Sequence, residues 1–336
     1  MGGIRPDGAW RNWAGNQSST PVRVERPRSE AEVVALVKVA AAEGRRVKVV
    51  GAGHSFTAIA RTDEVLVTLD EMGAVVGIDQ EKGQVRVEAG IRLFNLNPLL
   101  HAVDLAMPNL GDIAYQSVGG AISTSTHGTG LGFSSIAAGV VGMRLVAGDG
   151  TVNVLGPDDD PDLLEVTRVG LGALGIITEV TLQCVPAFNL YALEEVLSVD
   201  EVLDSFDELA ATTDHIEFFW MPHTGLAMRK RNTRTTDAPP PSKSCRQALR
   251  RRWKRFKNKE IMENAAFGTF NHIGKMVPSL IPSLNGLVAS EGDRAEYLTT
   301  SYEVFASPRR VRFYEMEYGV PAECGIEALR RVMDLV

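Results

Sequence analysis

The sequence predicts an α+β protein of two domains. Three observations carry that prediction. The 336 residues exceed the usual size of one domain. The first half mixes short β-branched runs with amphipathic helical stretches, without regular strand-helix-strand alternation. The strand pattern then stops at Pro186, and a differently patterned stretch follows.

The first clear element is a helix from Ser29 to Ala42. Apolar residues recur at Val33, Val34, Leu36, Val37 and Val39, Ser29 stands at the N-cap with Glu32 three positions on, and Gly44 ends the element. Arg46 to Val50 is rich in valine and reads as a strand leading into Gly51-Ala-Gly-His-Ser55. Further strands are expected at Val65 to Leu69, Val75 to Asp79 and Gln84 to Glu88, the last two joined by a turn at 80–83. Leu93 to Leu105 reads as one helix, whereas Gly119 to Gly132 is Gly, Ser and Thr with almost no charge and reads as a loop. Strands return at Val140 to Ala147 and Thr151 to Leu155 around the turn Gly148-Asp-Gly150. After an acidic loop, Asp158 to Asp162, and the glycine run 170–175, a strand is expected from Ile176 to Val185. Beyond a boundary at 187 the pattern gives a helix from Val199 to Ala211 and a strand from Ile216 to Met221. An amphipathic helix is expected from Ile326 to Val336.

Composition narrows the function. A net charge of −7 and a pI near 5.5 argue against a nucleic-acid binder, which needs surplus cations along a face. Cys184, Cys245 and Cys324 are too scattered for a disulfide framework or a zinc site, and the six histidines show no ligand spacing. The N-terminal residues lack the apolar core of a signal peptide and no later run is long enough to span a bilayer, so a cytoplasmic location is expected. One tract departs from the acidic total: residues 229–259 hold thirteen Lys or Arg and, among the acids, only Asp237. The ordinary reading is a solvated surface. The sharper one is weak association with an anionic membrane or an acidic electron-accepting partner, with Trp253 as an aromatic anchor.

Three glycine-rich segments carry the chemistry. Gly51-Ala-Gly53 follows a strand, but Phe56 stands where a GxGxxG turn needs its third glycine, which argues against a Rossmann dinucleotide site. Gly119 to Gly130 has no Lys-Ser or Lys-Thr and so cannot act as a P-loop. What both offer is main-chain amides and the hydroxyls of Ser55, Ser123, Thr124, Ser125, Thr126 and Thr129, a neutral surface suited to a diphosphate. His54 sits among them without the companions of a metal site or the GxSxG frame of a serine hydrolase.

Val49-Val-Gly-Ala-Gly-His-Ser-Phe56, Gly119-Gly-Ala-Ile-Ser-Thr-Ser-Thr-His-Gly-Thr-Gly130 and Leu171-Gly-Ala-Leu-Gly-Ile-Ile-Thr-Glu-Val180, in that order, resemble the FAD-binding domain of the vanillyl-alcohol oxidase (PCMH) type. With Trp10-Arg-Asn-Trp-Ala-Gly-Asn16 and, more weakly, Glu317-Tyr-Gly-Val-Pro321, they are similar to its aldonolactone oxidase and alditol oxidase branch. The resemblance implies a two-subdomain FAD-binding domain over residues 17–187. A partial substrate domain built on an antiparallel sheet would fill 188–336.

The resemblance also implies site residues. His54 would bond covalently to the flavin, with Val50, Gly51, Ala52, Gly53 and Ser55 around the diphosphate. Ser117, Gly120, Ser125, Thr126, His127 and Gly128 would form the second cofactor segment, and Ile176 or Ile177 would meet the adenine end through main-chain groups. Ser117, near the flavin ring in relatives, is the expected catalytic contact to the substrate hydroxyl or to N5. The implied reaction is hydride transfer to FAD from a sugar 1,4-lactone of the D-arabinono or L-gulono type. Oxygen, or a protein or quinone acceptor, would complete the cycle. Gly111 stands where relatives with restricted oxygen access carry alanine, which leans toward oxidase behaviour. An alditol such as xylitol or sorbitol is the alternative substrate. The family's Glu-x-Arg and His-Trp-Gly-Lys segments do not occur in these residues, so a catalytic portion beyond 336 is expected, and a flavin-binding protein without turnover is a rival reading. His272-Ile-Gly-Lys275 is a superficial echo in the wrong place.

Overall fold

The structure, a computed structural model, describes residues 2–239, 264–288 and 290–336. Two compact units emerge. The first holds the chain through Gly128, Phe133–Ala187 and Arg312–Glu315; the second holds Thr129–Gly132, Phe188–Val311 and Met316–Val336.

The first unit begins with a small antiparallel sheet of β1 (Gly3–Ile4), β2 (Trp10–Arg11) and β3 (Ser18–Ser19). A parallel sheet follows, in the order β4 (Arg23–Glu25), β6 (Val65–Thr68), β5 (Val47–Val50), with α1 (Glu30–Ala42) connecting β4 to β5. Ser29 caps α1 by accepting from the Glu32 amide, as its sequence position predicts, and the helix turns Val33, Val37 and Ala40 inward. The third sheet is antiparallel, ordered β11 (Val152–Leu155), β10 (Val140–Val146), β12 (Ile176–Gln183), β8 (Gln84–Glu88), β7 (Val75–Asp79). Glu30 ties α1 to that sheet. It accepts from the Arg144 guanidinium at 2.9 and 2.6 Å and from the Thr178 hydroxyl at 2.7 Å. The Arg144 contact, opposed by burial, holds the Glu30 carboxyl below its ordinary value.

Three expected elements differ. The helix predicted over 93–105 stops early, as α2 (Leu93–His101): Asp104 takes a left-handed φ of 56° and Leu105–Ala106 leaves to pair with Val185–Pro186. The strand expected over 176–185 breaks after Gln183, and Pro186 is the last residue of the short pair that follows. The predicted loop after Gly119 contains a helix, α3 (Val118–Ser123). Two glycines mask its propensity, but Val118, Ala121 and Ile122 fall at i, i+3 and i+4 and are fully buried, so packing overrides propensity. The helix predicted over 199–211 is two, α5 (Val199–Asp204) and α6 (Phe206–Thr212). Ser205 at the break donates its hydroxyl to the Glu201 carbonyl and accepts from Arg229. The helix α4 (Pro161–Arg168) is started by the Asp160 side chain, which accepts from the Leu163 amide.

The second unit is built on a four-stranded antiparallel sheet in which Leu226–Thr235 lies between His215–Met221 and Asn189–Ser198, and the latter also pairs with Arg294–Thr300. Its core joins Val199, Val202, Leu203 and Ala227 to Phe218, Trp220, Ile326, Leu329 and Met333, the last three from the helix Gly325–Asp334. His215 is fully buried, its Nδ1 2.8 Å from the Thr129 carbonyl, and burial pushes it down to about 4. The start of the basic tract is not a solvated surface. Arg229, Lys230 and Arg231 sit within a strand and pair with Glu195 and Glu217, because opposite charges on adjacent strands align in this register. Residues 240–259 of the tract, with Cys245 and Trp253, lie outside the described residues. Among the described residues no helix is long and apolar enough to cross a membrane.

Candidate functional site

The first unit contains a cleft where the C-terminal end of β5, the residues around α3 and the glycine run before β12 converge. Its open space, counting the solvent at its mouth, is about 1100 Å³. Among its lining residues only Lys48 and Asp70 are charged.

Twelve residues named from sequence line this cleft: Val50, Gly51, Ala52, Gly53, His54, Ser55, Ser117, Gly120, Ser123, Thr124, Ile176 and Ile177. Ser125, Thr126, His127 and Gly128 do not. Ser125 takes a left-handed φ of 56° just after α3, and Gly128 packs so tightly that a Cβ there would fall 2.3 Å from the Leu110 carbonyl oxygen. Thr129 clusters with the second unit. The structure adds residues that sequence reasoning missed, among them Asp70, Gly90 and Gln116, and puts Trp10 and Gly119 of the quoted motifs in the lining. Gly90 had a readable signal only in part: it closes a strand before a turn, but the reason for it is spatial, since a Cβ would fall 1.8 Å from the Leu69 carbonyl oxygen.

The hydroxyls contribute less than the sequence suggested. Ser123 and Thr124 line the cleft but donate back to the Gly119 and Gly120 carbonyls at 2.7 and 3.0 Å, and Thr126 accepts from Gln116. The amides contribute more. Those of Ala52, Gly53, His54 and Ser55 donate to nothing within the described residues. Ser117 is the N-cap of α3, its Oγ accepting from the Gly120 amide at 3.3 Å, which leaves its own proton free to be donated. The same oxygen explains Gly51, where a Cβ would sit 2.5 Å from it.

His54 is the most unusual group in the cleft. Among the described residues neither ring nitrogen has a hydrogen-bond partner, although both nitrogens are buried. Leaving buried polar atoms unpaired is costly, on the order of 1–3 kcal/mol per group. Burial first, with the charge of Arg92 adding, pushes His54 down to about 4, so the imidazole is neutral near pH 7 and keeps a lone pair available. Trp13 stacks on it, with ring centroids 5.2 Å apart. Gly111 lies away from the cleft lining; a Cβ on it would meet the His127 carbonyl oxygen at 2.9 Å. That backbone contact is a packing reason for its small size.

A FAD-binding domain model matches residues 21–156 and a D-arabinono-1,4-lactone oxidase model residues 180–336. An L-gulono-1,4-lactone dehydrogenase of Mycobacterium tuberculosis is 40% identical over 327 residues, spanning 97% of this chain and 74% of the relative. A D-arabinono-1,4-lactone oxidase of Eremothecium gossypii is 31% identical over 98% of this chain and 62% of its own length. A Mus musculus L-gulonolactone oxidase is 39% identical over 64% of this chain and 49% of its own length. Among solved structures, a cholesterol oxidase from Brevibacterium sterolicum superimposes with a TM-score of 0.71 at 16% identity over 97% of this chain and 67% of that one, which shows a shared fold. FAD fits the cleft on the structure's own terms, because the lining offers unbonded amides without a cationic cluster and a buried imidazole whose nitrogens have no other partner. The chain belongs to the FAD-binding aldonolactone oxidase family.

Proposed function

We propose that this chain oxidises a sugar 1,4-lactone of the D-arabinono or L-gulono type by hydride transfer to FAD attached covalently through His54. The observation that carries this reading is the neutral imidazole with two unpaired, buried nitrogens in a cleft lined by unbonded amides. The amides of Ala52 to Ser55 would hold the diphosphate, and main-chain groups of Ile176 and Ile177 the adenine end. Ser117, with a hydroxyl proton left to give, would donate to the substrate hydroxyl or the flavin ring and so fix the reacting carbon. FAD supplies the acceptor for the hydride leaving the carbinol carbon, while the protein supplies placement and electrostatics.

In the attachment itself, one His54 nitrogen bonds to the flavin methyl carbon as that nitrogen loses its proton and the methyl group one hydrogen. The two electrons and two protons released pass to dioxygen, giving hydrogen peroxide. Turnover would end on oxygen or on a protein or quinone acceptor. Lactones are favoured over alditols because the relatives described above carry lactone names. The nine Lys and Arg between residues 238 and 259 are proposed as a weak contact to an anionic membrane or an acidic acceptor protein. Sedimentation with anionic vesicles that is indifferent to salt would remove that contact.

The substrate reading is tested by mixing FAD-loaded protein anaerobically with L-gulono-, L-galactono- and D-arabinono-1,4-lactone, xylitol or sorbitol. Loss of visible flavin absorption with a lactone and not with a polyol is expected. Bleaching by the polyols alone would overturn the lactone assignment.

A further inference from the structure

The loop that presents His54 is gripped by the hairpin Trp10 to Gln17. Trp13 donates its main-chain N–H to the Gly53 carbonyl at 2.7 Å, and Asn12 donates its side-chain amide to the Ser55 carbonyl at 3.0 Å. Asn16 and Gln17 both donate to the Phe56 carbonyl, at 2.9 and 3.3 Å. Asn12 is itself fixed, accepting from the amides of Gly15 and Gln17 and donating to Asn16. Every one of these contacts to the loop satisfies a carbonyl. The loop's amides from 52 to 55 and both His54 nitrogens are left unbonded.

The side chain of His54 is restrained as well. The Trp13 indole lies nearly parallel to the imidazole, at 26°, and is braced on its other contact by the edge of Phe313 at 5.2 Å. Without a hydrogen bond to either nitrogen, only packing can fix rotation about the imidazole's broad terminal torsion. Gly53 takes a φ of 67°, which aims the chain into this arrangement.

We infer that the Trp10 to Gln17 hairpin is a template for flavin attachment, with Trp13 a positioning residue that fixes the imidazole plane of His54. This rests on the reading that His54 carries the flavin. The template supplies what a self-catalysed bond formation needs: a nucleophile held in one pose, kept dry, and free of competing hydrogen bonds. Among the described residues, the charged groups near the imidazole are Arg92, which pairs with Asp70, and Lys48 in the same cleft.

The test uses flavin-free protein mixed with FAD in air, with the covalent fraction read by in-gel fluorescence after denaturation and total bound FAD measured separately. Wild type should attach flavin to completion and His54→Ala none. Trp13→Ala should bind FAD but attach it on the order of tenfold to hundredfold more slowly, with Trp13→Phe intermediate. The pH profile separates positioning from general damage. Between pH 5 and 7 the wild-type rate should be flat. In Trp13→Ala, water reaching the imidazole should return its pKa toward 6.5, so the rate should fall toward pH 5. Should Trp13→Ala fail to fold, Trp13→Phe and Asn16→Ala decide, both expected to be slower than wild type. Attachment at the wild-type rate in these variants overturns the template. A wild-type protein that never attaches flavin overturns the His54 assignment beneath it instead.

Discussion

Gly51→Ala probes the closest contact in the cleft. The added Cβ would lie 2.5 Å from the Ser117 oxygen, with Gly120 Cα and Ser117 Cβ each at 3.7 Å. Only the oxygen is in conflict. Relief requires the hydroxyl to swing away, losing the cap on α3 at about 1 kcal/mol, or the backbones to part, at about 1–3 kcal/mol. The single variant should therefore lose about 1–3 kcal/mol in urea unfolding of the flavin-free protein, near 1 if the hydroxyl simply swings away. Ser117→Ala alone removes the cap and should lose about 1 kcal/mol. In the double variant the oxygen is absent and the remaining neighbours are at ordinary contact distance, so its loss should match that of Ser117→Ala. The coupling energy would then equal the loss of the Gly51→Ala single variant, about 1–3 kcal/mol, in favour of the pair. Additive losses would show that Gly51 is not there to admit the Ser117 hydroxyl.

Two further substitutions address other contacts. Gly111→Ala places a Cβ 2.9 Å from the His127 carbonyl oxygen and should cost about 1–2 kcal/mol of stability. It should leave the ratio of oxygen to artificial-acceptor turnover unchanged; a large change in that ratio would return Gly111 to the oxygen path. Glu30→Gln should cost about 1–3 kcal/mol at pH 7 by weakening the Arg144 and Thr178 contacts. Because the folded carboxyl titrates below its ordinary 4.5, its contribution is complete above that value and fades as pH falls through the folded pKa. Acid unfolding curves of Glu30→Gln should thus be flatter there than those of wild type.

How far the sequence could be read depended on which force decided each element. Where local chemistry decided, it was legible: the Ser29 cap with Glu32, the Gly44 stop and the valine-rich strand ending at Val50 all appear in the structure. Where long-range packing decided, it was not. α3 hides behind Gly119 and Gly120 because its stability comes from burying Val118, Ala121 and Ile122. The cations at 229 to 231 read as solvated because their partners, Glu195 and Glu217, lie on other strands. In the site, glycine spacing pointed to the 50–55 loop, but not to which donors were available. That depended on Ser123 and Thr124 bonding back to their own helix. The hairpin residues Asn12, Trp13 and Asn16 were visible only as family-like letters; their hold on Ser55, Gly53 and Phe56 spans some forty positions.

The central claim is that His54, neutral and without any other partner, is bonded to FAD. It is tested most directly by the mass of the denatured wild-type protein and of His54→Ala, each purified after expression with ample riboflavin. The account predicts one added flavin dinucleotide, less two hydrogens, on the wild-type chain and none on the variant. An unmodified wild-type mass alongside folded, FAD-binding protein would contradict it.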